Sequence, residues 1–241
     1  MVVVRDVLRL FQQRRSTRVP FDQHRKVDRE DLRRIVEAAR WAPTAHNMQN
    51  FEIIVVDDEE ELKKIGDIKS RVSIEFLREN YQQLSFSKEE LVRRKVGILG
   101  TSFPPSWRNL AKLDEVAHKS APRSLSQTIN GSPVLLIVVY DSRKRAPASE
   151  GDVLGFMSLG CVMENMWLTA QSLRIGFHVL SVFGSNAVEK EVKRILEVPE
   201  YMKIAFAVRL GYPVSGPAKY LRVRRNIEDF THHNRYGEKT Y

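Results

Sequence analysis

Five consecutive residues, Arg14-Arg15-Ser16-Thr17-Arg18, combine three guanidinium groups with two hydroxyls. Guanidinium forks and hydroxyls hold phosphate through charge-assisted, often bidentate hydrogen bonds. In an extended segment side chains alternate, so Arg14, Ser16 and Arg18 share one face while Arg15 and Thr17 take the other. A second cationic cluster, Arg222-Val223-Arg224-Arg225, repeats the two-residue spacing between Arg222 and Arg224. Each cluster alone also reads as a solvated basic segment; together, from opposite ends of the chain, they can close on one phosphate. A third stretch, Pro43-Thr44-Ala45-His46-Asn47-Met48-Gln49-Asn50, is crowded with amides. Asn and Gln each offer a carbonyl acceptor and an NH2 donor, which suits a flat heterocycle whose N–H is flanked by carbonyls. The alternative is a turn whose amides satisfy neighbouring backbone.

The composition bounds the setting. The chain has 241 residues, 42% hydrophobic and 29% charged, the profile of a soluble globular protein able to bury a substantial core. No apolar run reaches the roughly 20 residues that span a bilayer. Met1 to Asp6 turns charged too soon for a signal peptide, so the cytoplasm is the expected compartment. Cys161 is the single cysteine, which excludes an internal disulfide and any multi-cysteine metal site. It reads as a small buried hydrophobe. His118 and His178 carry no signal singly, the pair His232-His233 is a weak metal signature, and no metal is expected. Lys and Arg number 39 against 30 Asp and Glu, a net charge of +9. The basic residues are scattered and not interleaved with aromatics, which leaves a nucleic-acid module as the remote alternative.

The elements that must position these residues follow from periodicity. Arg5 to Gln13 reads as a short helix with Val7, Leu8, Leu10 and Phe11 on its apolar side. Asp28 is an N-cap, with Asp31 in a loose capping box, for an amphipathic helix through Leu32, Ile35, Val36 and Ala39 that stops before Pro43. Phe51 to Val56 reads as a strand and Glu59 to Ile65 as the next helix. Ile74 to Leu84 and Lys88 to Val96 read as charged helices, and Phe103-Pro104-Pro105 as a loop. Neither piece carries enough apolar residues for a core of its own, so about 70–120 reads as a lid or insertion. Gly131-Ser132-Pro133 opens a central strand, Val134 to Tyr140. Arg143 to Gly151 is a charged loop before Asp152 to Leu173, a helix apolar on several faces, with Gly176 as its left-handed terminator. Glu164 and Asn165 inside that helix require polar partners or an interface. Phe177 to Phe183 reads as a strand, Ala187 to Leu196 as a helix, and Ile204 to Leu210 as a strand. The sum is one α+β domain over residues 1–241 without internal repeats.

The chain resembles the nitroreductase family of FMN-dependent oxidoreductases along nearly its whole length. Arg14, Ser16 and Arg18 match that family's Arg-x-Ser-x-Arg/Lys element, and Ala42 to Phe51 resembles its Ala-Pro-Ser-x-x-Asn-x-Gln-Pro-Trp loop. Gly160 to Gly176 is similar to its central helix, Leu210-Gly211-Tyr212-Pro213 to its closing strand end, and Arg224 to Asp229 to its short C-terminal Arg-x-x-Leu-Glu-Glu element.

The resemblance implies a three-layer α/β/α fold around a mainly antiparallel sheet, in an intertwined homodimer with FMN at the interface. It implies that Arg14, Arg15 and Ser16 hold the phosphate and ribityl end, with Arg222 and Arg224, and that Arg18 sits beside the N1/O2 side of the ring. Asn47 and Gln49, on the loop carrying Pro43 and Thr44, face the pyrimidine edge, and backbone of Leu180, Ser181 and Gly184 lies near N5 and O4. It implies hydride transfer from NADH or NADPH, through flavin N5, to a nitroaromatic, quinone or similar conjugated small-molecule acceptor in a ping-pong cycle. A flavin-binding or flavin-modifying protein without general reductase turnover is the alternative. The family's Pro-Trp is Asn50-Phe51 here, and the residues before Gly184 depart from its pattern.

Overall fold

Val134–Asp141 (β4) is the strand on which the sheet is built. Its apolar run has no polar side, because the strand is buried on both faces. Val134, Leu136 and Val138 enter one core, whereas Leu135, Ile137 and Val139 enter the other. The computed structural model describes residues 4–78, 109–216 and 224–239, together with Glu89 and Arg93.

Residues 1–70 and 123–218 form one compact unit. Its sheet has the order β1 (Glu52–Val56), β4, β6 (Met202–Gly211), β5 (Gly176–Val179), with every neighbouring pair antiparallel, and a separate two-stranded ribbon pairs β2 (Lys69–Ser70) with β3 (Arg123–Ser124). Helices cover both faces. On the first lie α2 (Arg29–Arg40), through Leu32, Ile35 and Ala39, and the long helix α6 (Val153–Ser172), through Leu159, Val162, Met166 and Ala170. On the second lie α3 (Glu59–Asp67), the short α5 (Ser126–Ile129) and α7 (Asn186–Ile195), through Ile65, Ile129, Val188 and Val192. This is the three-layer α/β/α arrangement expected. Helix α1 (Val4–Gln13) precedes them.

The expected N-cap is made by Asp28, which accepts from the N–H groups of Glu30 and Asp31; Asp58 caps α3 in the same way, accepting from Glu60 and Glu61. Asp31 does not complete the capping box; it pairs with Arg34 at 3.2 Å. In β6 the register slips between the partners of Val138 and Val139, leaving Ala205 as an extra residue. The bulge changes the parity of the strand. Ile204 and Ala207 both reach the second core, while Val208 and Leu210 reach the first.

Two expectations are corrected at the end of α6. The left-handed residue is Arg174, at φ 59°, not Gly176. Arg174 N–H donates to Gln171 and Ile175 N–H to Ala170, the paired bonds of a Schellman turn with Arg174 at C′. Gly176 already belongs to β5, which ends at Val179 and does not continue to Phe183. Ser181–Gly184 folds instead as a 3-10 turn, although Leu180 N–H still donates to Ala207. What demands glycine at 176 is space, because a Cβ there would meet the Phe21 ring and, at 2.9 Å, the Gly211 carbonyl.

Residues 71–122 and 219–241 form a second unit. Residues 74–78 are helical, as are Glu89 and Arg93; the rest of the two expected charged helices and the Phe103-Pro104-Pro105 loop lie outside the described residues. Leu77 and Leu113, the latter opening α4 (Leu113–Lys119), are fully buried against Val72, Ile74 and Val116. The apolar count of this stretch does not suggest that small core. The basic tail contains a 3-10 turn, Ile227–Asp229, closed by a reciprocal capping box between Asn226 and Asp229.

Glu150–Ser172 is, by length and composition, apolar enough to cross a membrane, with a mean hydropathy of 1.2. One of its flanks is core. The opposite flank leaves Val153, Phe156 and Met157 more than half exposed.

Replacing Gly176 with Ala should cost about 1–3 kcal/mol through overpacking against Phe21 and Gly211. A urea unfolding curve checks this; an unchanged midpoint would show that the notch around Phe21 can open freely.

Candidate functional site

The 14–18 segment leaves α1 and crosses α6. Arg14 sits over the Trp167 ring, its guanidinium carbon 4.1 Å from the centroid, and its Nε meets Glu164 Oε1 at 3.3 Å. Trp167 in turn stacks on Phe177 at 5.0 Å and donates from Nε1 to the Arg15 carbonyl at 3.2 Å. Glu164 thus has its partner, and Asn165 has one too, donating to the Ala38 carbonyl at 3.1 Å.

Downstream the backbone is bound to the sheet. Thr17 N–H donates to the Phe177 carbonyl at 2.9 Å. Phe21 is a core residue, 3% exposed, bridged to Pro213 and packed against Gly131, Gly176 and Gly211. Gly131, at φ 74°, could carry no side chain, since its Cβ would lie 2.5 Å from the Phe21 carbonyl.

One residue gathers these segments, and sequence reasoning passed over it. Arg209 on β6 is 1% exposed and has no carboxylate among its bonded partners. Its Nη2 donates to the carbonyls of Thr17 (3.1 Å) and Val19 (3.0 Å). Its Nη1 donates to Ile129 (3.2 Å) and Asn130 (3.3 Å) at the end of α5. Its Nε donates to Nδ1 of His178, its cross-strand neighbour, at 3.0 Å. Burial lowers the Arg209 pKa to about 10, which leaves it charged at neutral pH. His178 is pushed from its ordinary 6.5 down to about 3, first by burial and then by Arg209 and Arg18. The available signal was a single arginine inside the otherwise apolar run Ile204 to Leu210.

These bonds decide what the segment can offer. Thr17 and Val19 spend backbone groups on the protein; in an extended chain their neighbours Ser16 and Arg18 turn theirs to the opposite edge. Ser16 and Arg18 are half-buried and Arg15 is exposed. Hydroxyl and guanidinium donors on a strap anchored from behind are a donor set that fits a phosphate or an electron-rich ring. Arg14 is already engaged with Trp167 and Glu164, although a guanidinium retains further N–H groups.

The amide loop is anchored at both ends. Ala45 N–H donates to Ser158 Oγ on α6 at 2.9 Å. Asn50, standing where the resembled pattern has proline, donates to the Asp141 carbonyl and accepts from the Asp141 N–H, both at 3.1 Å. Arg143, bonded to the Asp141 carboxylate at 2.9 and 2.8 Å, lowers that carboxyl to about 2. Between the anchors His46, Asn47 and Gln49 all take left-handed φ, at 49°, 53° and 48°. Such non-glycine strain concentrates at functional sites. Gln49 Nε2 donates to Asn47 Oδ1 at 3.2 Å, and Gln49 N–H to Thr44 Oγ1 at 3.2 Å, so part of the local-satisfaction alternative also holds. Both amides are exposed, as is Pro43.

The strap and the loop therefore occupy two stations along α6, at Glu164 and Trp167 and at Ser158. Six to nine residues separate them, about 9–14 Å along the axis. Leu180 and Phe183 pack into the second core, with Ser181 and Gly184 on the turn between β5 and α7. Arg224 lies in the second unit and Arg222 outside the described residues, so their assignment to a phosphate rests on the resemblance. Cys161 is half-buried. Among the described residues no cluster of three metal-ligating side chains occurs.

A four-stranded antiparallel sheet with helices on both faces is the α/β/α architecture of nitroreductase-like folds. The chain belongs to the Nitroreductase family, whose model matches residues 11–212. It is 25% identical over 208 residues to a candidate NADH dehydrogenase/NAD(P)H nitroreductase of Archaeoglobus fulgidus, covering 86% of each chain. Among solved structures it is similar to a nitroreductase with bound FMN from Bacteroides fragilis, with TM-score 0.56, 22% identity and coverage of 95% and 97%. It is also similar to one with bound FMN from Desulfitobacterium hafniense, with TM-score 0.56, 18% identity and coverage of 97% and 99%. A candidate NADH oxidase from Clostridium acetobutylicum gives TM-score 0.59 at 19% identity, with coverage of 94% and 99%.

Two outcomes test the Arg209 centre. Arg209→Met would strip donors from four carbonyls and should cost about 3 kcal/mol or more. Urea unfolding that leaves stability within about 1 kcal/mol would mean water replaces those bonds without difficulty. The folded pKa of His178 lies below its unfolded value, so the stability tied to its neutral ring is present above about 6.5 and drains as pH falls toward about 3. Wild type should lose up to ~1.4 kcal/mol per pH unit in that window relative to His178→Gln. Parallel pH–stability curves would contradict the shift.

Proposed function

We propose that this chain is an FMN-dependent oxidoreductase that takes hydride from NADH or NADPH and delivers it to a nitroaromatic, quinone or similar conjugated acceptor, in a ping-pong cycle. The observation that carries the reading is the strap: its backbone at Thr17 and Val19 is held by the sheet and Arg209, which fixes the positions of Ser16 and Arg18 beside them. The FMN-bound relatives and the NAD(P)H nitroreductase relative support it.

When bound, FMN supplies the redox chemistry, accepting hydride at N5 from the nicotinamide and releasing it to the acceptor. The chain binds and orients. Arg15 and Ser16, with Arg14 behind them, hold the phosphate and ribityl end. Arg18 places a cation where negative charge gathers on reduction, which raises the potential. Asn47 and Gln49 offer donor–acceptor edges to the pyrimidine, carried on a loop fixed at Ser158 and Asp141. Backbone of Leu180, Ser181 and Gly184 completes the set. No acid–base dyad is required, because no group in the chain has to break a covalent bond.

The assembly is a homodimer. On α6, Val153 is 57%, Phe156 53% and Met157 61% exposed, and Leu8 and Phe11 on α1 are exposed as well. Exposed apolar side chains of this kind are a face awaiting cover, and obligate interfaces resemble a core cut in half.

Purified protein should show flavin absorption bands and hold about one FMN per chain, as the single strap of each chain implies. Arg18→Ala should weaken FMN binding about tenfold or more through loss of a charged hydrogen bond. It should also lower the potential of bound FMN; unchanged affinity and potential would remove Arg18 from the site. Light scattering should give a dimer for wild type and a shift toward monomer for Phe156→Asp. A monomeric wild type would refute the interface.

A further inference from the structure

Arg14 enters the basic strap with its charge already compensated. Its Nε lies 3.3 Å from Glu164 Oε1, with 22% of the Arg14 side chain and 38% of the Glu164 side chain exposed. Three residues further along α6, on the same face, the Trp167 ring carries the Arg14 guanidinium carbon 4.1 Å from its centroid. The same indole donates from Nε1 to the Arg15 carbonyl at 3.2 Å. The Glu164–Arg14 pair therefore stands one indole ring away from the Arg15 backbone, and Ser16 is the next residue.

The acid at 164 has a consequence for charge. An aromatic face attracts a guanidinium by itself, so holding Arg14 over Trp167 needs no carboxylate. Glu164 adds to this clamp a negative charge that cancels much of the Arg14 field beyond the pair. The remaining Arg14 N–H groups can still donate. Arg15 is exposed and, among the described residues, forms no ion pair. A phosphate held at Arg15 and Ser16 thus meets Arg15 at full charge and, within the ~10 Å over which exposed charges act at 0.1 M salt, a neutral pair where a third cation would otherwise stand.

We propose that Glu164 is a specificity-determining residue for flavin binding: by neutralising Arg14 it tempers the attraction of the strap for phosphate and so narrows the preference for FMN over riboflavin, which has none. This inference rests on the FMN reading above. It adds to the site an acidic residue of α6 that acts on the phosphate end of the cofactor and leaves the ring end alone.

The test titrates flavin-free, full-length wild type, Glu164→Gln, Arg14→Met and the double variant with FMN and with riboflavin, at low and at moderate salt. Glutamine keeps an acceptor for Arg14 Nε, and methionine keeps an apolar stem on Trp167. The pair is neutral in wild type and in the double variant, cationic in Glu164→Gln and anionic in Arg14→Met. The ratio of FMN to riboflavin affinity should therefore be highest in Glu164→Gln, intermediate and alike in wild type and the double variant, and lowest in Arg14→Met. Each single change should move the ratio about threefold or more at low salt, and the differences should shrink as salt rises. A clamp that served only to order the strap would give no gain in Glu164→Gln and no recovery in the double variant. A Glu164→Gln ratio at or below that of wild type overturns the proposal, as does a double variant no better than Arg14→Met. If the Arg14→Met proteins do not fold, the Glu164→Gln ratio and its salt dependence decide. A wild type that binds no FMN defeats the FMN reading and this inference with it; a wild type that binds FMN, with a ratio indifferent to Glu164→Gln, defeats this inference alone.

Discussion

A single buried cation sets the terms for the rest of the molecule. Arg209 sits at 1% exposure in the middle of an antiparallel sheet, where an unpaired charge is expensive. Its solvation shell is made of backbone: two carbonyls from the end of α5 and two from the strap, with an imidazole nitrogen for the fifth donor. Each of those groups would itself be costly to bury unbonded. The arrangement is therefore mutual. The strap cannot leave without orphaning the guanidinium, and the guanidinium cannot rotate without orphaning carbonyls more than a hundred residues away. A flexible N-terminal connection becomes as well defined as a strand, although it joins no ladder beyond the Phe21–Pro213 bridge.

The parts of this fold legible in the sequence were those whose causes are local. The apolar run of β4 identifies a strand buried on both faces, and Asp28 announces a helix because its carboxylate caps the N–H groups two and three residues on. The motifs of the strap and the amide loop were visible as residue types at short spacing. What escaped was set by distance in the chain. Phe21 looks like one residue of a Pro-Phe-Asp turn until Gly176 and Gly211 arrive from two strands to make a notch for its ring, while Gly131 admits its carbonyl. Gly176 looks like a helix terminator for the same reason: sequence shows the missing side chain but not the Phe21 ring that requires it. Arg174 takes the left-handed position because the Schellman bonds and the Ile175 anchor in the core outweigh the cost of a Cβ there.

Histidine 178 is the sharper case. Alone in a short β-rich run it carries no signal, and its meaning appears only when the register sets it across from Arg209. The arginine was itself conspicuous, a charge in an apolar strand, and a buried charge implies a partner. The partner's nature could not be read, because the expected carboxylate is absent and backbone carbonyls, which every residue has, take its place.

The amide loop shows how strain and anchoring are balanced in one short segment. Three left-handed non-glycine residues within four positions would not persist in a free loop, since each gives up a preferred backbone region. They persist because the ends are fixed: Ala45 to a hydroxyl on α6, and Asn50 to both backbone groups of Asp141. Asn50 is the informative residue. Its amide mimics one rung of a β-ladder, bonding the N–H and the carbonyl of the same residue on β4. A proline, as in the related pattern, has no side-chain donor and could make neither bond. The substitution thus exchanges one means of stiffening the loop, a locked φ, for another, a pair of long-range hydrogen bonds. Because Asp141 is also where Arg143 closes its salt bridge, the loop inherits its position from the end of the central strand and not from the flexible charged segment that follows. The same strand carries the two cores, so the amide edges of Asn47 and Gln49 are referenced, through Asn50, to the strand buried on both faces.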